Sequence, residues 1–343
     1  VCYRKVLKLV SFFCHKNQST SYTLLRGENL DKAQEFINIF PDKMKEFWTT
    51  ISKEADFIEE VRIRVNNPIT ISIKGQEYFL NPKGQITKNI KEARLITSAE
   101  IDSILNHICK CSVYAFEDEL KEGYITVAGG HRVGLAGEVV VDGSGKIVTI
   151  KYVTFMNIRI SHEILGAADT VMDFLFEDGS LKNSLIISPP GCGKTTMLRD
   201  VVRQLSKGNY KRGAYKVGVV DERNEIGGGF KGTPQNDLGP RTDVISCLSK
   251  KQAMMMLIRS MSPEVLALDE IGGEDDIEAI KYAIKCGVKI IATIHAGSKD
   301  ELLKKPYMEE ILCEGGFERL IFMHKREGKC VVSHKISVGE FYD

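Results

Sequence analysis

The chain has 343 residues, of which 43% are hydrophobic and 27% charged, with a formal net charge of +1. That length accommodates two domains, and the composition is ordinary for a folded globular chain. The 47 basic residues are balanced by 46 acidic ones, which excludes a whole-chain basic field of the kind that gathers nucleic acid or acidic membrane. No apolar run of about 18 residues predicts a membrane span. The nine cysteines are odd in number and include no C-x-x-C pair, Cys109 and Cys111 being the nearest two. They predict reduced thiols in the cytoplasm rather than a disulfide framework or a zinc knuckle.

In chain order, residues 1–27 read as a poorly specified extension. Val6 to Cys14 is apolar but interrupted by Lys8, Arg4 and Lys5 precede it, and no clean small-x-small cleavage site follows. Residues 28–60 read as helix, because Phe36, Ile37, Phe40, Met44, Phe47, Trp48 and Ile51 recur at three- and four-residue spacing. From Val61 the period becomes two. Val61, Ile63 and Val65, then Ile69, Ile71 and Ile73, alternate with polar residues around an Asn66-Asn67-Pro68 turn, which predicts an antiparallel pair with one buried face. Ser98 opens a second helix with Ile101, Ile104, Leu105 and Ile108 on one side and Glu100 and Asp102 near its start. Strands follow from Gly123 to Val127, Val139 to Val141 and Ile147 to Val153, the last two joined at Asp142-Gly143. Residues 28–160 are thus expected to form an α+β N-terminal domain, with a linker region over 161–180.

The remainder, 181–343, alternates strand and helix. Apolar runs at Leu185–Ile187, Lys216–Asp221, Val265–Asp269 and Val288–Ile294 are separated by helical patterns over Thr195–Leu205, Lys251–Met261 and Asp275–Cys286. Such alternation predicts right-handed crossovers and a parallel core sheet, hence an α/β domain. Arg319–Met323 and Lys329–Val338 read as a closing hairpin.

Ser188-Pro-Pro-Gly-Cys-Gly-Lys-Thr-Thr196 lies between the first of these strands and the first helix, as a P-loop (Walker A) requires. Gly191 and Gly193 let backbone N–H groups turn toward phosphate oxygens, and the following helix points its positive end at the same place. Lys194 is expected to reach the β- and γ-phosphates and Thr195 to ligate Mg²⁺. Ser188 stands where the motif normally has glycine, which a negative φ would permit; Pro189 and Pro190 stiffen the loop, and Cys192 and Thr196 complete it. Val265-Leu-Ala-Leu-Asp269-Glu270 is an apolar strand ending in two carboxylates, the Walker B pattern. There Asp269 would hold Mg²⁺ through water and Glu270 would orient or deprotonate the attacking water. A further strand ends in Asp221-Glu222-Arg223-Asn224-Glu225. It places a second carboxylate near the γ-phosphate or is a solvated strand end with an internal ion pair. Thr293 and His295 close the last parallel strand, at the end of the sheet where ligands bind. Arg223, Arg241 and Arg259 in this half, and Arg132 and Arg159 in the first, are all candidates to reach a phosphate.

Glu60-Val-Arg-Ile-Arg64, Tyr114-Ala-Phe-Glu117, Gly129-Gly-His-Arg-Val-Gly134, Asn157-Ile-Arg-Ile160, the loop 189–196, Asp221-Glu-Arg-Asn-Glu225, Arg259-Ser-Met-Ser-Pro263 and Asp269-Glu-Ile-Gly272 together resemble the stage III sporulation protein AA family. These are ATPases of the type II/IV secretion superfamily, and the resemblance spans about residues 28–340. It implies a RecA-like ATPase domain beneath the N-terminal domain and Mg²⁺-dependent ATP hydrolysis. It also implies a hexameric ring in the mother-cell cytoplasm, held at the membrane by a channel protein that leads to the forespore. It assigns Asp221 and Glu222 to an acidic box, His295 to a histidine box, and draws Arg132 and Arg159 toward the phosphates. On this reading Lys194, Glu270 and Glu222 carry the chemistry, although the residues do not separate Glu270 from Glu222 as the base. A nucleic-acid-linked ATPase of RecA or AAA+ type is the alternative. Near-zero net charge and the lack of an appended recognition motif weigh against it, so no nucleic-acid partner is expected. A non-hydrolysing nucleotide sensor is a third reading, opposed by the intact set Lys194, Thr195, Asp269 and Glu270.

Overall fold

The computed structural model describes residues 32–110, 116–208, 213–246, 249–326 and 329–341. The expected extension 1–27 lies outside the described residues, as do Cys111 and the Tyr114-Ala115 part of one motif. The predicted long helix over 28–60 is two helices, α1 (Lys32–Asn38) and α2 (Asp42–Ser52), followed by a short 3-10 turn. Pro41, extended at φ −64°, stands between them; it has no N–H to give and disfavours helix in the residue before it. The break folds the pair back so that Phe40 stacks on Trp48 at 3.9 Å, with Phe36 edge-on to both.

β1 (Ile58–Arg64), β2 (Thr70–Ile73), β3 (Gln76–Leu80) and β4 (Ile86–Thr87) run as an antiparallel meander. α3 (Ser98–Ile108) then begins in a capping box, the Thr97 hydroxyl accepting from the Glu100 amide while the Glu100 carboxylate accepts from the Thr97 amide. After α4 (Glu117–Lys121) come β5 (Tyr124–Thr126), β6 (Arg132–Val141) and β7 (Ile147–Arg159). These seven strands form one sheet in the order β4-β3-β2-β1-β7-β6-β5. Val61 pairs with Ile71 on one side and Ile158 on the other, and Ile158 in turn with Val133. All four are buried against the helices. Period two sends their neighbours Arg62, Arg64, Arg132 and Arg159 to the opposite face.

Residues 161–180 carry Ala168, Val171, Met172 and Leu175 into the core of a second sheet. β8 (Phe176–Glu177) and β9 (Ser180–Leu181) make a small hairpin there. The second sheet comprises β10 (Ser184–Ser188), then α5 (Lys194–Lys207), β11 (Val217–Asp221), β12 (Thr242–Ser246), α6 (Lys250–Ser260), β13 (Val265–Leu268), α7 (Glu274–Lys285) and β14 (Lys289–His295). α8 (Lys299–Leu303), α9 (Met308–Cys313), β15 (Arg319–Arg326), β16 (Lys329–Ser337) and α10 (Val338–Phe341) complete the chain. Strand order is β12-β11-β13-β14-β10-β15-β16, parallel except for β16. β10, β11 and β13 are buried at every position, because helices cover both faces of the sheet: α5 on one, α6 and α7 on the other. The edge strand β12 is half-exposed and has no apolar run, which is why the sequence pattern does not disclose it. This is an α/β protein with a large mixed sheet. No helix among the described residues is long and apolar enough to cross a membrane.

Candidate active site

β10, β11, β13 and β14 all point their C-terminal ends to one edge of the second sheet. Ser188 lies opposite His295, Val220 opposite Leu268, and Leu268 opposite Ala292. The glycine loop 188–196 leaves this edge. Gly191 has φ 70° and Gly193 φ 77°, a region that L side chains rarely adopt. A Cβ on Gly193 would also meet the Cys330 sulfur at 3.4 Å, whereas the space over Gly191 is open. Ser188 is fully buried and is not among the residues with positive φ, so serine is accommodated at the motif's first position. Its carbonyl accepts the Ala296 amide at 3.2 Å. Gly193 in the left-handed region caps α5, and Lys194 opens the helix.

Lys194 is 5% exposed, and its Nζ lies 3.1 Å from Nδ1 of His295. Burial holds its pKa below the usual lysine value, against the opposing charges of Asp269 and Glu270. An ammonium only donates, so His295 Nδ1 accepts and Nε2 carries the hydrogen that reaches Glu270 Oε1 at 2.7 Å. Thr195 Oγ1 donates to Asp269 Oδ2 at 2.7 Å. Thr293 is fully buried beside Asp269 and Glu270: its hydroxyl donates to Asp269 Oδ1 and accepts the Glu270 backbone amide at 2.8 Å. Glu270 itself has φ 51°, a strained conformation for a residue with a side chain. Its other oxygen accepts from Arg223 Nη1 at 2.6 Å. Burial pushes the Glu270 carboxyl up, but the His295 bond and the charges of Arg223 and Lys194 outweigh it and hold the pKa below the usual value.

The acidic strand end is arranged differently. Asp221 is 1% exposed, and its carboxylate accepts three backbone amides: Glu225 at 2.7 Å, Ile226 at 3.1 Å and Gly227 at 2.7 Å. It is the anchor of the loop 222–227, with burial raising its pKa against those three bonds. Glu222 pairs with Lys250 Nζ at 2.5 Å, and the two line a small cavity together with Asp269 and Glu270. Arg132 reaches across from the first sheet to Glu225 at 3.1 Å and lies over the Tyr124 ring at 3.5 Å. Arg159 is exposed on β7, opposite Glu60 and Arg132. The structure therefore gathers Lys194, Thr195, Asp269, Glu270 and His295, and sets Asp221, Glu222, Arg132 and Arg159 around or beyond that group. Sequence reasoning missed Arg199, which is half-buried on α5 and gives its guanidinium to the Glu225 and Ile226 carbonyls at 2.7 and 2.8 Å. It also missed Lys250 as the partner of Glu222. No local pattern marks either.

The family model for sporulation stage III, protein AA matches residues 30–336. The stage III sporulation protein AA of Bacillus subtilis (strain 168) is 38% identical over 300 residues, 87% of this chain and 93% of that protein. Among solved structures, the Legionella pneumophila ATPase DotB superposes with a TM-score of 0.55 at 13% identity, over 87% of this chain and 81% of its own. The pilus retraction motor PilT, solved with bound ADP, gives 0.53 at 14% identity, over 84% and 82%. At such identity the likeness to DotB and PilT is one of fold, whereas the match to the sporulation proteins runs through nearly the whole chain. The chain belongs to the stage III sporulation protein AA family.

Proposed function

We propose that this protein is a Mg²⁺-dependent ATPase acting as a secretion-type motor, a hexameric ring in the mother-cell cytoplasm that energises a channel to the forespore. A membrane protein of that channel is its partner. The observation that carries the ATPase reading is the convergence of Lys194, Thr195, Asp269 and Glu270 at the C-terminal edge of a parallel sheet, beneath two left-handed glycines. These residues fit Mg·ATP: Thr195 and Asp269 offer hard oxygen donors 2.7 Å apart, and the helix behind them presents unpaired N–H groups to an anion. When bound, Mg²⁺ neutralises charge on the phosphates.

The chain's own residues supply the rest. The 191–196 amides and Lys194 bind the phosphates, and Lys194, already desolvated, interacts more strongly with them than it would in open water. Glu270 takes the proton from the water whose oxygen attacks the γ-phosphorus as the bond to ADP breaks. His295, between Lys194 and Glu270, reports the state of one to the other. Glu222 is engaged by Lys250, whereas Glu270 is bonded into the Lys194–His295 chain, which favours Glu270 as the base. Single-turnover hydrolysis tests this, with Lys194→Ala as the baseline. Glu270→Gln is expected to slow the step about 10²–10⁴-fold, and Glu222→Gln less than about 3-fold. The reverse order would move the role to Glu222.

A further inference from the structure

The candidate phosphate-reaching arginines, together with Arg199, are sorted by their partners. Arg199 is committed to the Glu225 and Ile226 carbonyls. Arg241 donates to the Ser206 carbonyl at 3.1 Å, and Arg132 is taken by Glu225 and the Tyr124 ring. Arg159 and Arg259 are exposed on β7 and α6. Of these, Arg223 is the one whose guanidinium rests on a carboxylate of the Lys194–His295–Glu270 chain, at 2.6 Å from Glu270 Oε2.

The placement of Arg223 is built from both ends. Its backbone lies in the loop that Asp221 fixes through three amides. Asn224, next along, is left-handed at φ 56° and closes the loop in both directions on Gly229, accepting its amide at 2.6 Å and donating to its carbonyl at 2.7 Å. The base of the side chain is therefore rigid, while the side chain itself is 64% exposed. At the other end, Thr293 holds the Glu270 amide and His295 holds Oε1, but neither holds Oε2. The terminal torsion of a glutamate is broad and two-fold, so a carboxylate tethered at one oxygen can turn about that tether.

We propose that Arg223 is the positioning residue of Glu270. By fixing Oε2 it sets the plane of the carboxylate that receives the proton from water, and it ties that plane to the 222–227 loop. The same loop meets the first sheet, through Arg132 to Glu225 and Thr126 to Asn224. A shift of the first sheet would thus reach the base through Arg223. This inference rests on the ATPase reading and adds to it a residue acting through Glu270.

The test compares Arg223→Ala and Arg223→Lys in the full chain, measuring kcat and KM for ATP and the affinity for a fluorescent ADP analogue. Loss of orientation predicts a kcat about 10–100-fold lower for the alanine variant, with KM and ADP affinity within about 3-fold of the parent. Lysine keeps a charge but not the fork, so it should recover part of the loss. An unchanged kcat, or a raised KM at unchanged kcat, would overturn the proposal. A second arm needs no turnover. In nucleotide-free protein, the melting shifts of Arg223→Ala and Glu270→Gln should be less than additive in the double variant, because each removes the same contact. Additive shifts would mean that the contact is absent and would also overturn the proposal. If the parent shows no Lys194-dependent hydrolysis, the ATPase reading fails by itself, and this second arm still decides the contact.

Discussion

His131 shows what burial does to a single side chain in this fold. It is 1% exposed, and its Nδ1 accepts the Ser161 amide at 3.0 Å. The neutral ring therefore carries its hydrogen on Nε2, a buried atom without a hydrogen-bond partner. Burial, with the charges of His162 and Lys32 behind it, draws its pKa from 6.5 down to about 4. The unfolded chain takes up a proton below about pH 6.5 that the folded chain refuses until about pH 4, so the contribution is complete above 6.5 and lost as pH falls toward 4. Across that window the loss is on the order of 3 kcal/mol. Melting temperatures between pH 7 and pH 4 should fall more steeply for the parent than for His131→Asn, in which an amide oxygen can still accept the Ser161 amide. Equal slopes would contradict this assignment. At the same scale, the sequence shows Lys194, Thr195, Asp269 and Glu270 because each sits in a short contiguous motif. It does not show that Thr293 holds the Asp269 carboxylate and the Glu270 amide or that Arg223 meets Glu270, since those partners converge only when strands distant in the chain become neighbours.

Elements carry the next level, and the loop after β11 is the informative one. An apolar strand ending in Asp221-Glu222 reads from sequence either as a second carboxylate near the γ-phosphate or as a solvated strand end with an internal ion pair. In the structure, side-chain direction separates them: Asp221 turns inward onto its own loop and Glu222 onto Lys250. Asp221→Ala would leave three amides without their acceptor, a cost of at least about 3 kcal/mol for bonds to a charged group. A large fall in melting temperature is expected in the absence of nucleotide. An unchanged melting temperature with weakened nucleotide binding would instead make Asp221 a direct ligand. Strand and helix order in 181–343 was legible because parallel strands are continuous apolar runs and the helices between them keep their own period. β12 was not, being a short edge strand whose pattern is half polar. The break at Pro41 was hidden because apolar spacing continues across it, although the proline itself was the signal.

At the scale of the whole molecule, the two sheets meet at the loop that also reaches the proposed base. Arg132 bonds Glu225, Thr126 bonds Asn224, and the Gly129 amide donates to Gln235 at 3.1 Å. Gly130 and Gly228 approach so closely that a Cβ on Gly130 would lie 3.3 Å from the Gly228 carbonyl oxygen. A motor needs such a junction, because nucleotide contacts that differ between two conformations must be converted into relative movement. Membership of the sporulation family and the fold shared with DotB and PilT give the setting, and the ring motor is the proposal that remains to be measured. The most direct measurement is ATP turnover by the full chain beside Lys194→Ala, with light-scattering mass recorded on the same samples with and without Mg·ATP. Hydrolysis that depends on Lys194 is expected, with a mass that rises toward about six chains when nucleotide is bound. Hydrolysis by a monomer at every concentration, or tight ATP binding without turnover, would contradict it.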